Sequence, residues 1–600
     1  MCGFIGGLFS KKLAENIKPK ISSVLKSFSY RGPDSEKIYL CPESKFILGF
    51  NRLSIIDLSN NGDQPFFFKD LVMSANCEIY NYIEIQQKLK NNVFKSKSDA
   101  ETIVNGYFEK NTKIFDELQG MFAINIFDKK KNELIIARDR FGIKPIYYYK
   151  DHDSFVFSSE FFPLVRFLKK LNKIIEYNYD NFETFLFGPY NFTENTLIKN
   201  IKKLKPGTFL KVDKHNTILE QSYFEIKKKN LINFTDFDNK TMIKTLEILL
   251  EKSVEKHLIS DVPVGLLYSG GLDSSIIAHL ASKKKENISC FTINFNNQFD
   301  NLQINQIKNF CKVRSMQSNI INATTLNVLD NFEKKIFMYD DLSSADPGFL
   351  TNEIISKKIS ENGYKVVLVG DGADEMFGGY SWFGLSKYPF KVLPKLIRDI
   401  FYFYSTSRTF NFNYFWKTFK KFRETLPKNE IDYFNTIEKN EIVNQLPNHY
   451  LQKVDRSTMV NSIEARVPYL DNDLYNFSSQ LNQNLKLKGK FYTIKNFNLP
   501  YEKFILRELA NSYFDKSISQ KKKYGFSLSL YDLINHNKSY FKETLNTKNS
   551  FTSNFFGKDF FENSINKIKE AKYSPIELFR HNILWKFFLL HKWFKAIEEI

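Results

Sequence analysis

A cysteine stands second in the chain, in "MCGFIGGLFS". Removal of Met1 would leave Cys2 with both a thiol and a free α-amine. An α-amino group titrates at about 7.7 to 8.0, so near neutrality an appreciable fraction can take the thiol proton, directly or through a water. One residue then supplies nucleophile and base. An isolated Met-Cys pair is more often an ordinary residue at a frayed terminus, so the rest of the chain has to decide.

A second chemistry is written in "VGLLYSGGLDSSIIAHL", where an apolar strand runs into Ser269, Gly270, Gly271, Leu272, Asp273 and Ser274 and then into a helix. Glycines let the backbone approach an oxyanion, and the first free N–H groups of the helix point at it with the helix dipole behind them. No Gly-Lys-Ser/Thr follows, so this is not a Walker loop. About a hundred residues on, "KVVLVGDGADEMFGGY" repeats the logic, with Val369, Gly370, Asp371, Gly372, Asp374 and Glu375 at the carboxyl end of an apolar strand. Mg²⁺ takes one or two carboxylates plus waters and phosphate oxygens, so Asp273 and Asp374 suit a metal bridging the polyphosphate of ATP. The alternative, that either acid is a solvated loop charge, is the weaker reading because both follow Gly-rich strand ends.

The elements that must position these groups fall into two blocks. Residues 1 to about 210 are rich in short strand-like runs, among them "SKFILGFNRLSIID", "MFAINIFD", "NELIIARD" and "SFVFSSE". A polar connection, "KKKNLINFTDFDNK", precedes a helical pattern that starts near Met242 and puts the domain boundary between about 225 and 240, with 211–235 as the linker. From 236 to 600, buried strand candidates "VGLLYS", "SCFTINF" and "KVVLVG" alternate with helical segments, the pattern of a parallel sheet with crossover helices. Beyond about 385 the chain reads as mostly helical.

Six hundred residues exceed one hydrophobic core, and five scattered cysteines match no disulfide framework or metal knuckle, which fits a reducing cytoplasm. No signal-peptide order opens the chain, and apolar stretches such as "ILWKFFLLHKWF" are interrupted by Lys or His, so a membrane span is not expected. The net charge of +19 invites a nucleic-acid reading, but the lysines are dispersed and no nucleic-acid motif accompanies them.

Together, SGGLDSS and "GDGADEMFGGY" resemble the synthetase domain of glutamine-hydrolysing asparagine synthetases, with further matches in "VDRSTMVNSIEARVPYLD", "KKKYGFSL" and the aromatic tail around Trp585. The same family carries an amino-terminal glutaminase, whose signature recurs as "MCGFIGG", "RGPDS", "NRLSIIDL", "NCEIYN", "KSDAETI", "LQGMFAINIFD", "ARDRFGIKPIYY" and "FSSE". The resemblance implies an αββα sandwich, like that of amino-terminal-nucleophile hydrolases, over 1–210. It implies a Rossmann-like ATP pyrophosphatase domain with a helical extension over 236–600.

It further implies that Cys2 attacks the glutamine amide and that ATP activates the side-chain carboxylate of aspartate as an acyl adenylate, from which ammonia displaces AMP. By position, Arg52 would clamp the glutamine α-carboxylate and Asp99 its α-ammonium. Asn76 and the backbone N–H of Cys77 would hold the oxyanion, and Leu53, Ser54, Ile55, Ile56 and Glu78 would complete the glutamine site. Leu267, Ile293, Val369 and Gly370 would contact the nucleotide, Ser269 to Ser274 the pyrophosphate, and Asp273 and Asp374 the Mg²⁺. Asp371 would support adenylate formation and Lys523 would stabilise charge on the α-phosphate. The resemblance is compatible with a homodimer.

Three positions and one segment depart from the family. Cys77 replaces Gly, and its side chain is expected to strain a backbone donor lying against the substrate. Asn51 replaces His, Val369 replaces Ser, and "MYDDLSSADPGFL", near the family's acceptor site, matches poorly. The rivals are a relative amidating another carboxylate, such as that of a surface-polysaccharide sugar, and a nucleic-acid-binding protein supported only by charge. A catalytically dead scaffold is a third, opposed by the intact Cys2, Asp273, Asp374 and Lys523.

Overall fold

Near-continuous apolar runs along the central N-terminal strands bury both strand faces, and the result is two six-stranded antiparallel sheets packed face to face. The computed structural model describes residues 2–600 apart from 11–15, 44, 91–92, 227–238, 296–300, 327, 409–411, 429, 431, 490–501, 522–527, 546–557 and 571–573. In the first sheet the order is Ile201–Lys203, Tyr147–Lys150, Ser154–Ser158, Gly3–Phe9, Phe46–Arg52, Ser35–Cys41. The second runs Ile218–Ser222, Thr208–Val212, Glu133–Arg138, Gly120–Asp128, Leu71–Ile79, Phe66–Phe68. Phe4, Leu8 and Phe46 meet Val72, Phe127 and Ile136 between them, with the Phe46 and Phe127 rings stacked at 4.2 Å.

Ile5, Ile47 and Val156 point the other way, beneath helices Ile17–Ser27 and Phe161–Lys170, and Met73, Ala75 and Ile124 lie beneath helix Glu101–Lys110. These four layers are the αββα arrangement. The second sheet runs past the boundary expected at 210, because the hairpin of Thr208–Val212 and Ile218–Ser222 supplies its edge.

The C-terminal sheet has five parallel strands in the order Gln317–Ala323, Ser289–Phe295, Val264–Leu267, Val366–Leu368, Glu464–Arg466. Strand order reverses between Val264–Leu267 and Val366–Leu368, so their carboxyl ends open a crevice of the kind in which α/β sheets bind ligands. Helices predominate after 385, ending in Pro575–Glu599, which buries Trp585 and Trp593. The two indole N–H groups donate to the carbonyls of Ala345 (2.8 Å) and Asp340 (2.7 Å), tying this helix to the "MYDDLSSADPGFL" segment.

Buried charges join the two halves. Arg31 donates to the Cys2 carbonyl (3.1 Å), to Glu160 (3.0 Å) and to Asp455 of helix Leu451–Met459 (2.9 Å). Lys144 lies 3.6 Å from Asp455, and Arg456 pairs with Glu160 and Asp340. Nearby, Arg466 pairs with Glu78 at 2.8 Å. Removing one partner from such a cluster strands a charge without water. Asp455→Ala is therefore expected to cost about 3 to 5 kcal/mol, read as an earlier first transition in a urea melt followed by tryptophan fluorescence.

Candidate functional site

The amino-terminal site lies where strands Gly3–Phe9 and Leu71–Ile79, from opposite sheets, bring Cys2 beside Asn76. The Cys2 backbone nitrogen donates to Asn76 Oδ1 at 3.0 Å, and Asn76 Nδ2 is buried with no hydrogen-bond partner among the described residues. A buried amide donor without a partner is costly, so it suits an incoming oxyanion. Burial pushes the Cys2 thiol above its ordinary range, although the Leu53 backbone N–H bonded to it and the nearby Arg52 pull the other way. A base within reach is accordingly needed to deprotonate it.

Arg52 is pinned at the end of its strand. Its guanidinium donates to the carbonyls of Ser59 (2.8 Å) and Asp57 and pairs with Asp63 (2.9 Å), and a Cβ at Gly62 would collide with it. Asp99 is buried and accepts from the Ile79 backbone N–H at 2.7 Å, and burial raises its carboxyl to about 6. Leu53, Ile55 and Ile56 are buried and apolar, and the Ser54 N–H donates to Asp34 at 2.7 Å. Burial pushes the Glu78 carboxyl above the usual carboxylate range, against the pull of the Arg466 guanidinium 2.8 Å away. Asn51, the other departure in this half, donates to the Leu25 carbonyl at 2.9 Å, holding the helix Ile17–Ser27 rather than a ligand.

The strain expected at Cys77 is absent. Cys77 sits in a regular strand, in register with Phe122, and extended backbone accepts any L side chain. Its Sγ instead lies 3.7 Å from Asp99 Oδ2. Cys77→Gly is therefore expected to leave glutamine turnover unchanged and to lower KM for glutamine a few-fold by freeing Asp99, as steady-state kinetics would show.

The second site occupies the crevice of the parallel sheet. Gly270 takes φ +68°, which a side chain would resist. Gly271 caps helix Leu272–Lys284 without a side chain over its first N–H groups. The Ser269 and Ser274 hydroxyls lie 3.0 Å apart within the turn. Gly370 lets the two loops touch, since a Cβ there would meet Asp273 Cβ at 3.2 Å. Leu267 ends its strand half-buried, Ile293 is buried, and the Val369 N–H donates to the Arg466 carbonyl at 2.9 Å.

Asp371 interacts with the Lys453 ammonium, which pairs with Asp346 at 2.8 Å and lies 5.5 Å from the Tyr450 ring centre. Asp346 also accepts from the Gly348 N–H (2.7 Å), so the poorly matching segment is held at this site by its own acid.

Lys523 lies outside the described residues. A lysine overlooked in the sequence, Lys503, sits in the crevice instead: its Nζ is 2.6 Å from Asp273 Oδ2 and 2.7 Å from Asp374 Oδ1. The only signal for it was a basic residue directly before the apolar helix Phe504–Asn511. Lys521 also reaches the loop, donating to the Gly270 carbonyl at 3.0 Å. Among the described residues no group of three or more His, Cys, Asp or Glu side chains is arranged as a metal cage. Two carboxylates converging on one ammonium do mark a cation position, which fits the few protein ligands that Mg²⁺ takes.

Comparison with known proteins bears on both halves. Residues 1–224 match the glutamine amidotransferase domain model and residues 245–595 the asparagine synthase model. The chain is 27% identical over 583 residues to asparagine synthetase (glutamine-hydrolyzing) 1 of Bacillus subtilis, covering 88% of this chain and 87% of that one. It is 26% identical over 547 residues to asparagine synthetase B (glutamine-hydrolyzing) of Escherichia coli, covering 88% and 82%. With the second match spanning more than half of its length, the chain belongs to the glutamine-hydrolysing asparagine synthetases, ATP-dependent ligases.

Proposed function

We propose that the chain makes asparagine from aspartate, with ammonia drawn from glutamine at Cys2 and ATP consumed at the second site. The observation that carries the first half is the Asn76 side chain, which holds the Cys2 nitrogen by its oxygen and keeps its amide donor buried and unpartnered. After loss of Met1 that nitrogen is an α-amine, and it takes the thiol proton as sulfur attacks the amide carbon of glutamine. Asn76 Nδ2 and the Cys77 N–H receive the oxyanion. The C–N bond then breaks, the leaving nitrogen takes the proton from the α-ammonium, and water hydrolyses the thioester.

At the second site the N–H groups after Gly270 receive the departing pyrophosphate as an aspartate oxygen attacks the α-phosphorus. Asp273 and Asp374 would hold Mg²⁺, which when bound neutralises charge on the polyphosphate. Ammonia then attacks the adenylate carbonyl and AMP leaves. The buried contacts around Arg31 and Asp455 support transfer between the sites by shutting water out of the junction.

Incubation with ATP, Mg²⁺, ammonia and a panel of carboxylic acids tests the reading. Pyrophosphate release with aspartate, accompanied by asparagine, is the expected result. Release with another acid but not with aspartate would overturn the choice of acceptor.

The raised Asp99 carboxyl adds a pH signature. Only its ionised form can hold the α-ammonium, and that form is lost as pH falls through about 6. KM for glutamine should therefore climb below that pH by roughly tenfold per unit, while ammonia-driven synthesis does not share the rise.

A further inference from the structure

We propose that Lys503 is the resident counter-ion of the metal position: its ammonium joins Asp273 to Asp374 while no metal is bound, so that a divalent cation enters only together with the nucleotide, whose polyphosphate takes over the ammonium. This rests on the reading of Asp273 and Asp374 as the Mg²⁺ ligands.

Two carboxylates facing one buried point repel each other unless a cation lies between them. Here the cation is built into the chain. The Lys503 side chain is 4% exposed, and its Nζ reaches one oxygen of each acid at 2.6 and 2.7 Å. Its position is specified rather than incidental: Lys503 has φ +52° at the start of helix Phe504–Asn511, and a Cβ on Gly379 would collide with its Cε. An ammonium and a divalent cation cannot share one position, because like charges at contact distance repel strongly in so buried a place. Metal alone would have to expel Lys503 from both of its carboxylate partners. A polyphosphate on the adjoining loop changes this, since the displaced ammonium then meets phosphate oxygens a short distance away.

The experiment is Mn²⁺ binding, followed by the electron paramagnetic resonance signal of free Mn²⁺, on the full chain with and without α,β-methylene-ATP. Wild type should bind Mn²⁺ weakly alone and at least about tenfold more tightly with the analogue, after correction for Mn²⁺ held by the analogue itself. Lys503→Met should bind Mn²⁺ alone at least about tenfold more tightly than wild type, with little further gain from the analogue. Lys503→Arg, which keeps the charge, should behave as wild type.

Equal Mn²⁺ affinity in wild type and Lys503→Met would overturn the proposal. Tightening in Lys503→Met that survives both Asp273→Asn and Asp374→Asn would overturn the ligand reading instead, by placing the cation elsewhere. Should Lys503→Met unfold without metal, a melting temperature restored by Mn²⁺ supports the counter-ion role. Failure of Mn²⁺ to restore it, or tighter Mn²⁺ binding by Lys503→Arg, counts against that role.

Discussion

Cys2→Ala is expected to abolish glutamine-driven asparagine formation while leaving the ammonia-driven reaction within about twofold of wild type. Loss of the nucleophile itself should drop glutamine hydrolysis by about four orders of magnitude or more. The substitution keeps what the rest of the molecule uses at this position, since Asn76 holds the Cys2 backbone nitrogen and Arg31 its carbonyl, and alanine retains both groups. The junction with helix Leu451–Met459 should survive, and with it the second site. The measurement is asparagine formed with glutamine or with high external ammonium, at raised pH where more of it is free ammonia. Residual use of glutamine would remove Cys2 as the nucleophile. Loss of the ammonia-driven reaction in a folded chain would end the two-site reading. Intact-mass analysis of an active preparation should show Cys2 as the first residue.

The complementary result is expected at the sheet crevice, where Asp273→Asn or Asp374→Asn should lower ATP-dependent pyrophosphate release by about three orders of magnitude, given several kcal/mol of charge stabilisation at a metal held by two carboxylates. Glutamine hydrolysis should persist, because the two acids meet at Lys503 in the crevice of the parallel sheet while Cys2 lies beside Asn76 between the two N-terminal sheets. Each substitution also leaves the Lys503 ammonium with one carboxylate in place of two, so a lowered melting temperature is expected beside the lost activity. Melting curves taken with the assays separate the two effects. A variant that stays folded, hydrolyses glutamine and still releases pyrophosphate at the wild-type rate would deny the acid it replaces a role in catalysis.

Sequence by itself determined the chemistry-bearing strings and the elements that carry them. "VGLLYS", "SCFTINF" and "KVVLVG" are apolar runs bounded by turn residues, and they became Val264–Leu267, Ser289–Phe295 and Val366–Leu368, because strands buried on both faces must be apolar throughout. Glycines at 270 and 370 marked the loops, since positive φ at one and a close approach to Asp273 at the other both disfavour a side chain.

What only the tertiary structure decided lies between distant segments. Glu464–Arg466 reads as a charged tripeptide and became the edge strand of the parallel sheet, because Arg466 finds Glu78 across the junction and Glu464 beside it. Cys77 looked strained against a family glycine, yet its strand is extended and its sulfur turns to Asp99. Lys503 is 230 residues from Asp273 and 129 from Asp374, with no local pattern linking them. A charge reveals its partner only once folding has taken both out of water, where an unpaired ammonium or carboxylate is too costly to keep.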